Sequence, residues 1–292
     1  MSSASLRSVP EHITRPDYAM PGSRGQPKSH IIDAFGRKKV VRNYMRGEPL
    51  ERMRRACRAA REVLEEVLEA VHPGISTEEL DVIAHEACIA RGGYPSPLGY
   101  RGFPKSCCTS TNHVVCHGIP SNKILKEGDI LNVDVTAFKD EWHGDTSRMF
   151  RIGEISVKAE KLINTTYESM MKAISLVKDG INLGDIGSAI QTHVEAEGFS
   201  VVQDFCGHGI GETFHKEPNI LHYGEKGTGE KIKAGMIFTI EPMINIGNYE
   251  TKTLNDGWTA VTKDKSLSAQ FEHTIGVTKD GCVVFTQSDK ES

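Results

Sequence analysis

Two aspartates carry the first chemical signal in this 292-residue chain. Asp134 and Asp145 lie in the stretch Ile130 to Phe150, which reads as two strands joined by a polar turn. Ile130 to Phe138 is rich in β-branched residues, and Trp142 to Phe150 roughly alternates polar with apolar. The two acids are symmetric about a turn centred between Lys139 and Asp140. That symmetry predicts that they face each other across the ladder, on one face, with Cβ atoms roughly 5 Å apart. Bare carboxylates so close repel, and one must hold a proton; a divalent cation between them removes the conflict. An exposed hairpin with two solvated aspartates is the alternative for this stretch alone, so the question is whether other ligands join them.

Three further residues answer it. Glu241 closes the run Met236-Ile-Phe-Thr-Ile-Glu241, and an acid ending so apolar a strand is costly unless it is paired or bound to a cation. Pro242 ends that strand or marks its edge. Glu272, in Ser268-Ala-Gln-Phe-Glu-His-Thr-Ile275, is a second such acid on the following strand. His208 lies in Cys206-Gly-His-Gly-Ile-Gly211, where the flanking glycines let the backbone bend close to a site. Taken alone, each acid reads as a salt-bridge partner and the histidine as a polar core residue. As a set, Asp134, Asp145, His208, Glu241 and Glu272 suit two divalent cations, Mn, Fe, Co or Zn, sharing bridging carboxylates. Two such ions roughly 3.5–4 Å apart can hold a hydroxide between them near neutral pH.

The elements that must position these residues recur along the chain. A helix is expected from Glu51, with Met53, Cys57, Ala60, Val63, Leu64, Val67 and Val71 at helical spacing. Ser76-Thr-Glu-Glu79 opens a second, which stops at Gly92-Gly93. After the central hairpin the pattern returns: Lys158 to Lys178 is amphipathic, and Asp185 to Glu197 ends at Gly198. Asp179-Gly-Ile matches Pro73-Gly-Ile at an offset of roughly 106 residues. Leu125 to Asp134 aligns with Ile232 to Glu241, so Asp134 falls on Glu241. A helix–helix–hairpin unit therefore occurs twice, each copy bringing a carboxylate at the same place in its strand. The expected fold is one α+β domain with internal two-fold pseudo-symmetry.

Composition narrows the function classes. A net charge of −4 gives no global pull toward nucleic acid or membrane. No apolar run is long enough to span a bilayer, and no signal-peptide core follows Met1. Seven cysteines, odd in number and without a CxxC pair, fit a reducing compartment, so the cytoplasm is expected. The Ser-rich first ten residues are followed by Glu11 and Asp17, which argues against a transit peptide. Residues 1–47, with Pro10, Pro16, Pro21, Pro27 and the basic run Arg37 to Arg46, are expected to be an extended or mobile arm and linker. Residues 48–286 form the main domain and 287–292 a tail. Arg52, Arg54, Arg55, Arg58 and Arg61 sit largely on the first helix's remaining surface, either a solvated face or, with the arm, an electrostatic patch for RNA at a ribosome.

Six stretches taken together resemble the type 1 methionine aminopeptidases: Asn112-His-Val-Val-Cys-His-Gly-Ile-Pro120, Asn132-Val-Asp-Val-Thr136, His143-Gly-Asp145, Gly207-His-Gly-Ile-Gly211, Phe238-Thr-Ile-Glu-Pro-Met243 and Gln270-Phe-Glu-His-Thr274. The likeness runs from about Glu51 to Phe285. It implies the pita-bread fold, two related αβ halves around a dinuclear metal site, in agreement with the duplication. It further implies that Asp134 and Asp145 hold one metal, that Asp145 and Glu272 bridge both, and that His208 and Glu241 complete the second. The implied reaction is hydrolytic removal of the initiator methionine from nascent polypeptides when the second residue is small. A hydroxide attacks the first peptide carbonyl, and Glu241 serves as ligand and proton shuttle. His117 and His215 contact the substrate backbone and stabilise the tetrahedral intermediate.

The same resemblance assigns the methionine slot to Tyr100, Phe103, Cys108, Phe214 and Trp258, and a monovalent site (Na⁺ or K⁺) to the backbone near Asn112, Val114 and Ser268. The four aromatics fall on irregular segments flanking the ligands, where regular core packing would not put them. Pro10 to Tyr18 resembles the linker of eukaryotic cytosolic members. Those members carry Cys/His zinc modules ahead of it, whereas here no cysteine precedes Cys57. Pro97 stands where the family has another cysteine, and His113 where many members have an acid. A monomer acting on nascent chain N-termini is expected. The rivals are a prolidase or aminopeptidase P on the same fold, which usually carries an extra N-terminal domain, a metal-free RNA-binding module, and a purely structural role for the arm and the Arg-rich helix.

Overall fold

The structure is a computed structural model that describes residues 6–23, 25 and 45–288. Its four long helices start where local chemistry allows. Helix α1 (Gly47–Ala70) buries Met53, Cys57, Ala60, Val63, Leu64 and Val67 along one stripe. Helix α2 (Thr77–Ala90) begins with a capping box. Ser76 Oγ accepts from the Glu79 N–H at 3.2 Å, and the Glu79 carboxylate accepts from the Ser76 N–H at 2.8 Å. Helix α3 (Val157–Leu176) is capped by Ser156. Helix α4 (Leu183–Ala196) repeats the acid's half of the box, the Asp185 carboxylate accepting from the Asn182 N–H at 2.9 Å.

The duplication is written into the hydrogen bonds. In one half the Gly74 N–H donates to Leu125 O and the Leu125 N–H to Ile75 O, both at 2.8 Å. In the other, the Gly180 N–H donates to Ile232 O at 2.9 Å and the Ile232 N–H to Ile181 O at 2.7 Å. Isolated bridges Ser76–Ile124 and Asn182–Lys231 occupy matching places beside them. Each half has its own apolar core. Val63, Leu80, Leu131, Val133 and Val135 lock α1 and α2 to their strands; Ile163, Ile186, Ile190, Phe238 and Ile275 do so for α3 and α4.

Nine of the described strands form one sheet shared by the two halves. They are β1 (Tyr94–Pro95), β2 (Cys108–Thr111), β3 (Ile130–Lys139), β4 (Trp142–Arg151), β5 (Gly207–Gly209), β6 (Lys216–Ile220), β7 (Ile237–Ile240), β8 (Glu272–Val277) and β9 (Cys282–Val284). The spatial order is β1-β3-β4-β8-β7-β5-β6, with β2 also on β3 and β9 also on β8. Helix α1 crosses β4 so closely that a Cβ on Gly144 would sit 2.4 Å from the Cys57 nitrogen. Only glycine fits between His143 and Asp145.

The N-terminal segment is extended as expected but not free, and the arginines of α1 lie on a solvated, ion-paired face. Residues 6–23 are extended, with one 3₁₀ turn at Asp17–Ala19, but they are packed down rather than free. Val9, Ile13 and Tyr18 are buried, in contact with the main domain. Their spacing between prolines has no helical or strand period, which is why an extended arm was legible and its docking was not. The basic run falls outside the described residues from Arg37 to Tyr44. The arginines of α1 are largely neutralised. Arg52 pairs with Glu48 and Glu141, Arg54 with Glu51, Arg55 with Glu48 and Asp140, and Arg61 with Glu65. That face clips the helix to the tip of the β3–β4 hairpin and is not a bare cationic stripe. No helix among the described residues is long and apolar enough to cross a membrane.

Candidate metal centre

The β3–β4 hairpin pairs from Ile130↔Arg151 to Lys139↔Trp142. Its two-residue turn is Asp140-Glu141, with φ of 51° and 67°, the left-handed pair that a tight hairpin turn demands. The turn therefore lies one residue later than the symmetry of the two aspartates predicts. Asp134 faces Ser147 and Asp145 faces Thr136, so the two acids are not directly opposed. Moving the centre by one residue moves the partner by two, and period-2 alternation keeps both carboxylates on the same face as diagonal neighbours.

The neighbouring strands extend this arrangement into two rows. Glu272 stands opposite Ser147, and His273 is paired with Ile240, which brings Glu241 alongside Glu272. Asp134, Ser147, Glu272 and Glu241 thus form one row across four strands. The second row runs through Thr136, Asp145, Thr274, Thr239 and His208. Thr274 Oγ1 donates to Asp145 O at 2.7 Å, Thr274 is paired with Thr239, and the His208 N–H donates to Thr239 Oγ1 at 3.0 Å. Two threonine hydroxyls also hold carboxylates of this group: Thr136 Oγ1 donates to Asp145 Oδ1 at 2.7 Å and Thr239 Oγ1 to Glu241 Oε1 at 2.8 Å. These threonines are absent from the candidate residues read from the sequence. The signal was present, since Thr136, Thr239 and Thr274 each stand two residues from an acid on the same strand face.

Donor atoms of Asp145, His208 and Glu272 all lie within 4.8 Å of one another. His208 Nε2 is 3.6 Å from Asp145 Oδ2 and 3.5 Å from Glu241 Oε1. The glycines beside His208 are needed for close packing and not for a bend: a Cβ on Gly207 would meet Thr239 O, and one on Gly209 would meet Glu217 O, each at 2.4 Å. Burial dominates the electrostatics. It raises Asp134 to about 7 and Glu241 to about 8. Burial, then repulsion from Asp134, raises Asp145; burial, then Asp145, Glu241 and Asp134, raises Glu272. The same burial lowers His208 to about 4 and keeps it neutral. Oε1 of Glu272 is buried and has no hydrogen-bond partner among the described residues. A buried set of four carboxylates and one neutral imidazole, with an acceptor left unpaired, fits hard or borderline divalent cations.

All five lie on one cavity of about 320 Å³. Tyr100, Phe103, Cys108, Phe214 and Trp258 line it with His117 and His215. Phe103 meets Trp258 edge-on at 5.1 Å, and Phe214 stacks on His215 at 4.0 Å. Tyr100 Oη lies 3.0 Å from His215 Nδ1. His117 takes a left-handed φ of 55°, a strained conformation for a non-glycine residue of the kind that collects at functional sites. Its ring meets Phe205 and Trp258 edge-on, and burial lowers it to about 4. Cys107, by contrast, turns away to Asp81. Asn112 and Ser268 come together outside the cavity, where the Ser268 N–H donates to Asn112 O at 2.8 Å. Ser268 Oγ is buried without a partner among the described residues. Val114 opens the short strand Val114–Cys116 and is paired with Val261.

A pseudo-symmetric α+β fold with a buried, acid-rich centre opening on an apolar slot defines a metallopeptidase. The chain belongs to metallopeptidase family M24, whose profile matches residues 51–279. A methionine aminopeptidase of Rickettsia prowazekii is 54% identical over 241 residues, 82% of this chain and 93% of the relative. Its crystal structure superposes with a TM-score of 0.81, covering 82% of this chain and 96% of that one. Methionine aminopeptidase 1A of Arabidopsis thaliana is 47% identical over 284 residues, 96% of this chain and 69% of the relative. The prolidase of Pyrococcus furiosus, at 20% identity and a TM-score of 0.68, shares the fold alone, with 85% of this chain and 66% of that one covered. The pita-bread architecture expected from the resemblance is the architecture of these structures.

Proposed function

We propose that this chain works as a type 1 methionine aminopeptidase, removing the initiator methionine from nascent polypeptides whose second residue is small. The carrying observation is that five acid and imidazole donors, two neutral histidines and an aromatic slot line one cavity. Asp134, Asp145, His208, Glu241 and Glu272 would hold two divalent ions (Co, Mn, Fe or Zn). When bound, these supply a water activated near neutral pH and an anchor for the free α-amine.

The chain's own residues do the rest. Phe103, Phe214, Trp258, Tyr100 and Cys108 receive the unbranched, polarisable methionine side chain and exclude water from it. With the Tyr100 hydroxyl donating to Nδ1, neutral His215 keeps its proton on Nε2, ready to donate to the developing oxyanion. His117, on the same cavity, contacts the substrate backbone. Glu241, whose Oε1 is held by Thr239 and whose Oε2 accepts from Gln270 Nε2 at 3.3 Å, takes up and returns the proton.

Residues 48–286 are the catalytic domain in this reading, with the 1–47 segment and the 287–292 tail as appendages. A monomer in the cytoplasm, a Na⁺ or K⁺ held near Asn112, Val114 and Ser268, and ribosome contact through the N-terminal arm and the Arg-rich helix complete the proposal. The test is mass spectrometry of metal-loaded enzyme with peptides opening Met-Ala, Met-Gly, Met-Lys, Lys-Ala and Ala-Pro. Release of methionine from the first two alone is expected. Preferred cleavage of the Ala-Pro peptide would favour a proline-directed peptidase.

A further inference from the structure

The packed N-terminal segment reaches the back of the slot. Tyr18, Tyr100 and Phe214 form one buried cluster, although Tyr18 lies outside residues 51–279 matched by the family profile. The Tyr18 ring meets Tyr100 edge-on at 4.9 Å and lies flat against His143 at 6.3 Å. His143 in turn stacks on Phe214 at 5.2 Å. The Tyr18 hydroxyl donates to Ser96 O at 2.6 Å, and Ser96 Oγ lies 2.8 Å from His143 Nδ1. Tyr18 therefore touches one slot residue directly and reaches the other through His143.

The segment is fastened on either side of this contact. Arg7 Nε donates at 2.7 Å to Asp81, a fully buried carboxylate. The other oxygen of Asp81 accepts the backbone N–H groups of Ser106 at 2.7 Å and Cys107 at 3.1 Å, next to Cys108 of the slot. On the far side the Arg101 N–H donates to Gly25 O at 2.7 Å. The segment thus holds the 96–108 loop at Ser96, Tyr100 and Arg101 and, through Asp81, at Ser106 and Cys107, and an edge-on aromatic contact sets the tilt of Tyr100.

We propose that this segment delivers Tyr18 to the site as a positioning residue, holding Tyr100 so that its hydroxyl meets Nδ1 of His215. The inference rests on the reading of His215 as a substrate-contacting group. Without the Tyr18 ring, Tyr100 can swing, and His215 loses the partner that fixes its tautomer and orientation. Misplacement of this kind lowers turnover more than it weakens binding.

The test uses the full chain loaded with metal and a Met-Ala-Ser peptide. Tyr18→Ala should lower kcat at least ~10-fold, with KM changed by less than about threefold. Tyr18→Phe keeps the ring and should stay within about threefold of the parent kcat. Ile13→Val loosens the same segment away from Tyr100 and should lower the thermal midpoint without lowering kcat. In a Tyr100→Phe background, where the hydroxyl is already gone, Tyr18→Ala should cost little further, whereas a merely structural role would give additive losses. Parent enzyme that cleaves the peptide while Tyr18→Ala keeps its kcat, or shows additive losses, overturns the inference and leaves the proposed function standing. Parent enzyme that does not cleave overturns the proposed function itself.

Discussion

Nε2 of His208 lies 3.5 Å from Oε1 of Glu241, yet the two do not form an ion pair. Burial lowers the imidazole to about 4 and raises the carboxyl to about 8, so at neutral pH both are largely uncharged. Asp134, Asp145 and Glu272 are raised in the same way. A metal-free centre is thus a cluster of retained protons, and binding a divalent cation must expel them.

That arrangement fixes a pH dependence. Unfolded carboxyls titrate near ~4. An acid raised in the folded state binds more protons folded than unfolded between the two values, so stability falls as pH rises through that interval. The buried histidines act in the opposite sense. His117 and His208 are lowered to about 4 and His143 and His222 to about 3, so their contribution grows from there to the unfolded value and is complete above it. Above about pH 6.5, the unfolded histidine value, these acids alone set the centre's contribution. Calorimetry of metal-free protein should show the thermal midpoint falling from about pH 6.5 to 8.5, and metal-loaded protein should lose most of that fall. A midpoint rising over this range without metal would contradict the assignment.

Thr239 supports two residues of the centre at once, accepting the His208 backbone N–H and donating to Glu241 Oε1. Thr239→Val removes both bonds at nearly constant volume. Metal affinity, measured by competition with a chelator, should drop about 10–100-fold, the usual cost of losing a partner behind a ligand. Unchanged affinity would mean that the strands alone hold these side chains.

Glu241→Gln keeps the shape and removes the proton-accepting charge. Turnover should fall at least ~100-fold, the lower range for a general base. Metal content measured on the same sample separates loss of the base from loss of a ligand. Near-normal turnover would take Glu241 out of the reaction.

The Gly144 position carries α1 across the hairpin. Gly144→Ala should destabilise the protein by about 1–3 kcal/mol through overpacking against Cys57 and displace Asp145, its chain neighbour. Denaturant titration with parallel metal analysis checks both effects; a neutral substitution would show that the helix can move away.

The sequence carried the duplicated halves and the gathering of Asp134, Asp145, His208, Glu241 and Glu272 on one cavity because both depend on local or periodic features. Capping residues, the glycines that end helices, and acids placed in apolar strands can all be read along the chain. The hairpin illustrates how forgiving such a reading is. Its turn was displaced by one residue, but Asp134 and Asp145 remained on one face because the displacement preserved parity. The docking of Val9, Ile13 and Tyr18 had no periodic signature, since extended residues between prolines follow the surface that receives them. The neutralisation of the α1 arginines was equally hidden: Arg52 and Arg55 meet the hairpin tip only after folding.

The slot makes a separate prediction. Phe214 both lines the cavity and stacks on His215. Phe214→Ala should therefore relax the preference for methionine over norvaline-sized or larger first residues and lower turnover, with metal content unchanged. Loss of a methylene from the first side chain should cost the parent enzyme roughly 1–3 kcal/mol in kcat/KM. Equal cleavage of N-terminal Met, Lys and Pro by the parent would show that this cavity does not set specificity.

The most direct test of the account is a metal titration of exhaustively chelated, full-length protein, followed by methionine release from a Met-Ala-Ser peptide and by elemental analysis of the same samples. Activity should be absent without metal, return with Co²⁺ or Mn²⁺, and reach its plateau at no more than two bound ions per chain. Full activity in protein verified to hold no metal would contradict it.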